Sequence, residues 1–202
     1  MVKAATEAAT AASGGKEDMI GKVVKAAGAA AAKGGEATSV NGIASGIKGI
    51  VTAAEKAGEE GKLESEAVGG EDNADAGKLF AAKKNNEGGG AGDAEKAAAA
   101  VSAVSGKQIL KAIVDAAGKD GEKKGVKAED ATNPIDAAIG STDDNQNAAA
   151  FSKDGMKKND QIAAAIVLRG MAKDGEFALK DNADNAKAGL KSTVVRRDGK
   201  SC

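Results

Sequence analysis

Apolar residues along this chain fall into stretches at helical spacing, separated by four long runs rich in glycine, asparagine and charge. The spacing predicts a first helix from Lys16 to Lys33, where Ile20, Val23, Val24 and Ala27 lie three and four apart. Gly34-Gly35 follows, glycine being a common residue just past a helix end. A second helix is expected to start near Ser39, with Val40, Ile43, Ile47, Ile50, Val51 and Ala54 as its apolar stripe. Strand alternation does not fit that period. Gly42, Gly46 and Gly49 lie beside the stripe, where each costs roughly 1 kcal/mol against alanine. Their clustering implies another helix packed at close range.

A first polar break is read from Gly58 to Asp75, then a short helix from Ala76 to Lys84 carrying Leu79 and Phe80. A second break runs from Asn85 to Gly92. The third major helix is expected from Asp93 to Ala117, with Asp93 as its N-cap and a kink near Ser105-Gly106. Its apolar side includes Val101, Val104, Ile109 and Ile113. Gly118 to Thr132 is the third break. Asn133-Pro134 then opens a short helix with proline in its favoured first turn, and Ile135 and Ile139 share one face. Gly140 to Gly155 is the fourth break. The last strong helix spans Asn159 to Lys173, with Ile162, Ile166 and then Arg169 or Gly170 on one face. Asp174-Gly175 stops it, and Phe177 and Leu179 mark a short alternating extended segment. The fold class expected is all-α: an elongated helical bundle with long Gly, Asn and charged loops. Residues 1–187 read as a single helical domain and 188–202 as a divergent, poorly ordered tail.

Composition makes this core lean. The chain has 47 alanines and 28 glycines, but only 32 of its 202 residues are Leu, Ile, Val or Phe. That share lies under the roughly one-fifth below which disorder becomes a concern. The usual companion of disorder, a large net charge, is missing, since 29 basic residues offset 30 acidic ones. Alanine also has the best helix propensity, so helices with thin side chains between them remain feasible.

The inventory of reactive groups argues against an enzyme. Histidine, tryptophan and tyrosine are absent, and the sole cysteine is Cys202. Without histidine the commonest acid–base group and the commonest metal ligand are gone. A terminal cysteine lacks the fixed partner that an activated nucleophile needs, and a single thiol forms no internal disulfide framework. Asp143-Asp144 and Glu59-Glu60 lie in polar, glycine-flanked runs without the desolvating surroundings that tune a catalytic carboxylate. No catalytic, cofactor-binding or metal-ligating residue is therefore assigned, and no cofactor is expected. Interspersed charge and only three aromatics, Phe80, Phe151 and Phe177, give no case for nucleic acid. No apolar run reaches the length of a membrane span, and the start from Met1 to Thr6 has no signal-peptide core.

Several blocks resemble a known family. Asn41 to Val51, NGIASGIKGIV, is similar to the GIAKGIKGIV segment of the variable large proteins of Borrelia. Ala76 to Phe80 is similar too. Ala97 to Val114 matches that family's AVSAVSGEQIL helix, and Asn133 to Gly140 its NPIAAAIG block. Met156 to Lys180, MKKNDQIAAAIVLRGMAKDGEFALK, resembles the invariable region of the VMP-like sequence lipoproteins. The blocks run in the family's order from about Ala29 to Lys187.

The resemblance implies a surface-exposed lipoprotein of the outer membrane that undergoes antigenic variation. Host antibodies would be its partners, outer-membrane association would be through a lipid anchor, and a host ligand and homo-oligomerisation stay open. The variable loops would be Gly58–Asp75, Asn85–Gly92, Gly118–Thr132 and Gly140–Gly155, while Ile43, Ile47, Ile50, Ile109, Ile113, Ile162 and Ile166 keep the fold. Met156–Lys180 would be a mostly buried element exposing only Lys157, Lys158 and the Asp174-Gly175 turn. Against the family pattern, the lipoprotein signal, the acylated cysteine and a long N-terminal helix are not seen here, and the sequence diverges after about Lys187. Two alternatives stand beside this reading: an adhesin on the same fold, and a conditionally helical stress protectant of the late-embryogenesis-abundant type. The second accounts poorly for isoleucine stripes and blocks without a fixed repeat.

Overall fold

The computed structural model describes residues 22–25, 32–56, 63, 71–81, 88–118, 123–141 and 147–180. In chain order they form strand β1 (Lys22–Lys25), helix α1 (Ala37–Lys56), a long 3-10 helix (Glu71–Phe80), and helices α2 (Ala91–Ala103) and α3 (Gly106–Ala117). A single 3-10 turn (Ala128–Asp130), helices α4 (Pro134–Ile139) and α5 (Asn159–Met171), and strand β2 (Glu176–Leu179) complete them. The all-α expectation holds, with one small sheet added.

Helix α5 is the axis, because its sequence is apolar on every side. Ile162, Ala165 and Ile166 join one cluster with Leu79, Phe80, Ala97, Met156 and Phe177. Ala163, Ala164 and Leu168 join a second with Val40, Ile43, Ile109, Ile113 and Ile135. A helix that is apolar all round must be covered all round, and α2, α3, α4 and the long 3-10 helix pack against this one. About half of the buried apolar residues are alanines. Their small side chains bring the helix backbones close, so packing is tight although the large apolar residues are few.

Helix α1 behaves as its pattern predicts over its first half only. Val40, Ile43 and Ala44 are fully buried, and buried Gly46 is on the helix that lies along α3, as the glycine cluster implied. From Ile47 onward no residue of α1 is buried; Ile47 packs at the edge of the second cluster and Ile50 is half-buried. The helix is started by Glu36, whose carboxylate accepts from Thr38 N at 3.0 Å and Ser39 N at 2.7 Å. Those two backbone bonds, that to Ser39 first, hold the Glu36 carboxyl below the ordinary 4.5 of a glutamate.

Five boundaries differ from the sequence reading. Within the expected helix Lys16–Lys33, residues Lys22–Lys25 are a strand in parallel register with Glu176–Leu179; Val23 pairs with Phe177. Two adjacent β-branched valines suit a strand, and long-range pairing overrides the local helical period. The remainder, 16–21 and 26–31, lies outside the described residues. The helix expected at Ala76–Lys84 is instead the 3-10 helix Glu71–Phe80, so the first polar break ends before Asp75. The expected helix Asp93–Ala117 is two helices bent by 100°. Ser105 starts the second: its hydroxyl accepts from Gln108 N at 3.3 Å and Gln108 Oε1 accepts from Ser105 N at 2.7 Å. This reciprocal box is stronger than a kink. Helix α2 begins earlier than expected, with Gly90 as N-cap and Asp93 accepting from Gly90 N at 2.8 Å. Helix α5 ends at Met171 rather than Lys173.

Helix α4 starts as expected, Asn133 Oδ1 accepting from Ile135 N and Asp136 N at 3.1 Å each. The extended segment is real, but its residues do not alternate. Phe177, Ala178 and Leu179 are all buried, because β2 lies between β1 and a parallel bridge from Gly89 to Leu179. The Asp174 turn adopts a left-handed backbone at φ 63°. In Met156–Lys180, Lys158, Met171, Lys173, Asp174 and Lys180 are exposed, whereas Lys157 is half-buried and Gly175 is buried against Arg169. The proposed tail 188–202, Cys202, Glu59-Glu60 and Asp143-Asp144 lie outside the described residues.

Two stability predictions follow from this packing. Ile113→Ala, at a fully buried site, should lose about 3 kcal/mol in urea denaturation, and Ile50→Ala only about 1 kcal/mol. Equal losses would place Ile50 in the core after all. Glu36→Ala should cost about 1 kcal/mol at neutral pH, the size of a lost N-cap. The wild-type carboxyl has a lowered folded-state pKa, so its contribution is fully present above the ordinary 4.5 and fades as pH falls through the lowered value. A difference between wild type and variant that stays constant down to acid pH would assign the effect to something other than the charge.

Candidate functional site

Two features stand out once the helices are placed: a buried arginine at the end of α5 and a junction where the loops meet. Arg169 is fully buried. Its Nε donates to Glu176 O at 2.8 Å, its Nη2 to Lys33 O at 3.2 Å and its Nη1 to Ala137 O at 3.4 Å. The guanidinium also lies over the rings of Phe80, 5.0 Å from the centroid, and Phe177, 5.9 Å away. Phe80 meets Phe177 edge-on at 88° and Phe151 at 58°, so the chain's three aromatic residues form one group. Burial pushes the Arg169 pKa down to about 9, opposed by the charge of Glu176. The side chain therefore stays protonated at neutral pH. Glu176 in turn accepts from Lys33 N at 3.1 Å and pairs with Lys22 Nζ at 2.6 Å. One side chain thus ties together the segment before α1, the end of α4 and strand β2.

The loops meet around the long 3-10 helix. Phe151 N, in the fourth break, donates to Ala74 O, in the 3-10 helix that closes the first, at 3.0 Å. Ser152 Oγ donates to Glu129 O, in the third break. Lys78 Nζ bridges Asp75 at 2.7 Å and Asp93, just beyond the second break, at 3.1 Å. Both carboxylates, Asp75 first, raise the Lys78 pKa. Described residues at or beside the four breaks are thus linked around the long 3-10 helix. Beside them Glu129, Asp130, Lys153 and Asp154 are exposed. These residues make a mixed-charge surface with side chains directed outward.

The roots of the loops are less free than glycine-rich composition suggested. Gly88 and Gly89 are buried, and Gly89 N donates to Ala178 O at 3.0 Å while Lys180 N donates to Gly89 O at 3.1 Å. A side chain at Gly125 would collide with the Gly140 carbonyl oxygen, and Gly140 itself has φ 71°. In the described parts of the loops, glycine permits one backbone to lie directly on another.

Among the described residues no group of three or more Asp, Glu, Cys or His could hold a metal ion. No single described helix is long and apolar enough to cross a membrane. Sequence reasoning had no roles for Arg169 beyond its place on the α5 face, nor for the three phenylalanines. The signal available was an arginine at helical spacing from Ile162 and Ile166, where a solvated charge would be out of place.

Comparisons with known proteins agree with this architecture. The Borrelia lipoprotein family profile matches residues 1–197, wider than the Ala29–Lys187 span of the recognised blocks. Variable large protein 17 of Borrelia hermsii is 38% identical over 193 residues, covering 96% of this chain and 52% of that protein. Variable large protein 4 of the same organism is 36% identical over 151 residues, covering 74% and 41%. The chain spans about half the length of such relatives. The crystal structure of the Lyme disease variable surface antigen VlsE of Borrelia burgdorferi superposes with a TM-score of 0.79 at 47% identity, covering 96% of this chain and 64% of that one. On sequence and fold together, the chain belongs to the Borrelia lipoprotein family, alongside the variable large proteins and VlsE.

Proposed function

We propose that this chain is a surface-exposed antigen of a spirochete, held at the outer membrane, whose loops vary while its helical scaffold persists, so that host antibodies lose their targets. It belongs to a family of surface lipoproteins and antigens, not of enzymes. The observation that carries the reading is the segregation of the structure. Large apolar residues and Arg169 are buried around α5, while Glu129, Asp130, Lys153 and Asp154 in the breaks are exposed. Antibody binding depends on a few exposed contacts, and replacing exposed residues without core partners leaves stability nearly unchanged. The stress-protectant alternative, which needs no packed core, accounts poorly for the two apolar clusters around α5.

The test replaces Glu129, Asp130, Lys153 and Asp154 together by alanine and measures binding of antibodies raised against the unaltered chain. Binding by antibodies to this face should fall at least about tenfold, with the melting midpoint within about 2 °C of the parent. Undiminished binding by every antibody in the panel would remove the loop junction as the antigenic face.

A further inference from the structure

A side chain of α1 hydrogen-bonds the third loop through the loop's main-chain atoms. Asn41 lies on α1, half-buried, 82 residues before its partner. Its Nδ2 donates to Lys123 O at 3.0 Å, and its Oδ1 accepts from Lys123 N at 3.1 Å. The same Nδ2 donates to Ala37 O at 2.9 Å, one turn back on the helix, which fixes the amide's orientation. A carboxamide carries both a donor and an acceptor. Here it satisfies both backbone groups of one residue, as a neighbouring strand would.

We propose that Asn41 is a sequence-independent latch for the loop Gly118–Thr132, a positioning residue that holds the loop root whatever side chains the loop carries. The main-chain N–H and C=O of position 123 are present in every residue type except proline, which lacks the N–H. A cleft of about 300 Å³ borders the latch between α1 and α3, with Thr38, Ala116, Ala117 and Lys123 in its lining, leaving room for side chains of other sizes at position 123. Val126 N adds a second main-chain bond, to Asp136 O at 3.4 Å, a few residues further along. The loop is thus fastened by its backbone while Lys124 faces solvent. The biological meaning of the latch rests on the proposed loop variation; the latch itself does not.

Native-state hydrogen exchange followed by NMR on the whole chain tests it. Asn41→Asp keeps an acceptor for Lys123 N–H but turns the donor into an oxygen facing the Lys123 and Ala37 carbonyls. Asn41→Leu removes both groups. Either should speed exchange of the Lys123 amide at least about tenfold, with the core amides of Ile43 and Ile113 within about twofold of the parent. Lys123→Gln should leave its own amide within about twofold as well. The latch is refuted if Lys123 stays protected in both Asn41 variants, if core amides accelerate equally, or if Lys123→Gln frees the loop as much as they do. No antibody enters the measurement, so its failure and that of the proposed function are distinguishable.

Discussion

A charged guanidinium buried without a carboxylate directly bonded to it sets the terms for the rest of this fold. Removing such a group from water carries a penalty of several kcal/mol unless its donors are met. Arg169 meets it with the carbonyls of Lys33, Ala137 and Glu176 and the faces of Phe80 and Phe177. Those partners come from segments far apart in sequence. They must all be in place together, so the arginine makes the β1–β2 sheet, the end of α4 and the long 3-10 helix mutually dependent. A lean alanine core supplies little apolar bulk, and this polar anchor adds the directional contacts that thin side chains lack.

The division between scaffold and loops follows from the same constraint. Residues that serve Arg169 and the two clusters around α5 have little freedom to change. Outward-facing side chains at the loop junction have few obligations to the core. Between these lie the loop roots, where Gly125, Gly140 and the buried Gly88-Gly89 pair bring backbones into contact. Main-chain contacts of this kind fix where a loop leaves the scaffold while saying little about the side chains it carries. For a protein whose surface is to change while its fold persists, that is a useful separation.

Much of the helical framework was legible in the sequence because its signals were local. Asn133-Pro134 placed the start of α4, and the isoleucines at 162 and 166 placed α5 on a buried face. Ser105-x-x-Gln108 was equally local, yet the apolar positions on either side of it read as one kinked helix where there are two. The strand at Lys22–Lys25 was not legible, because its partner lies at Glu176–Leu179 and only the folded chain brings them together. The loop junction was hidden for the same reason. Four breaks could be seen along the chain, but Ala74, Glu129 and Phe151 become neighbours only through packing around the 3-10 helix. Half of the isoleucine stripe on α1 misled in the opposite direction, since a helical period marks an apolar face without showing how far along it the core extends.

Urea denaturation of Arg169→Lys measures directly what the buried guanidinium contributes. Lysine keeps the charge, but its compact ammonium cannot reproduce the planar fork across three carbonyls and two rings. A loss of about 3 kcal/mol or more is expected, as when a buried polar network is broken. A loss below about 0.5 kcal/mol, the range of an ordinary surface substitution, would contradict the anchoring role of Arg169.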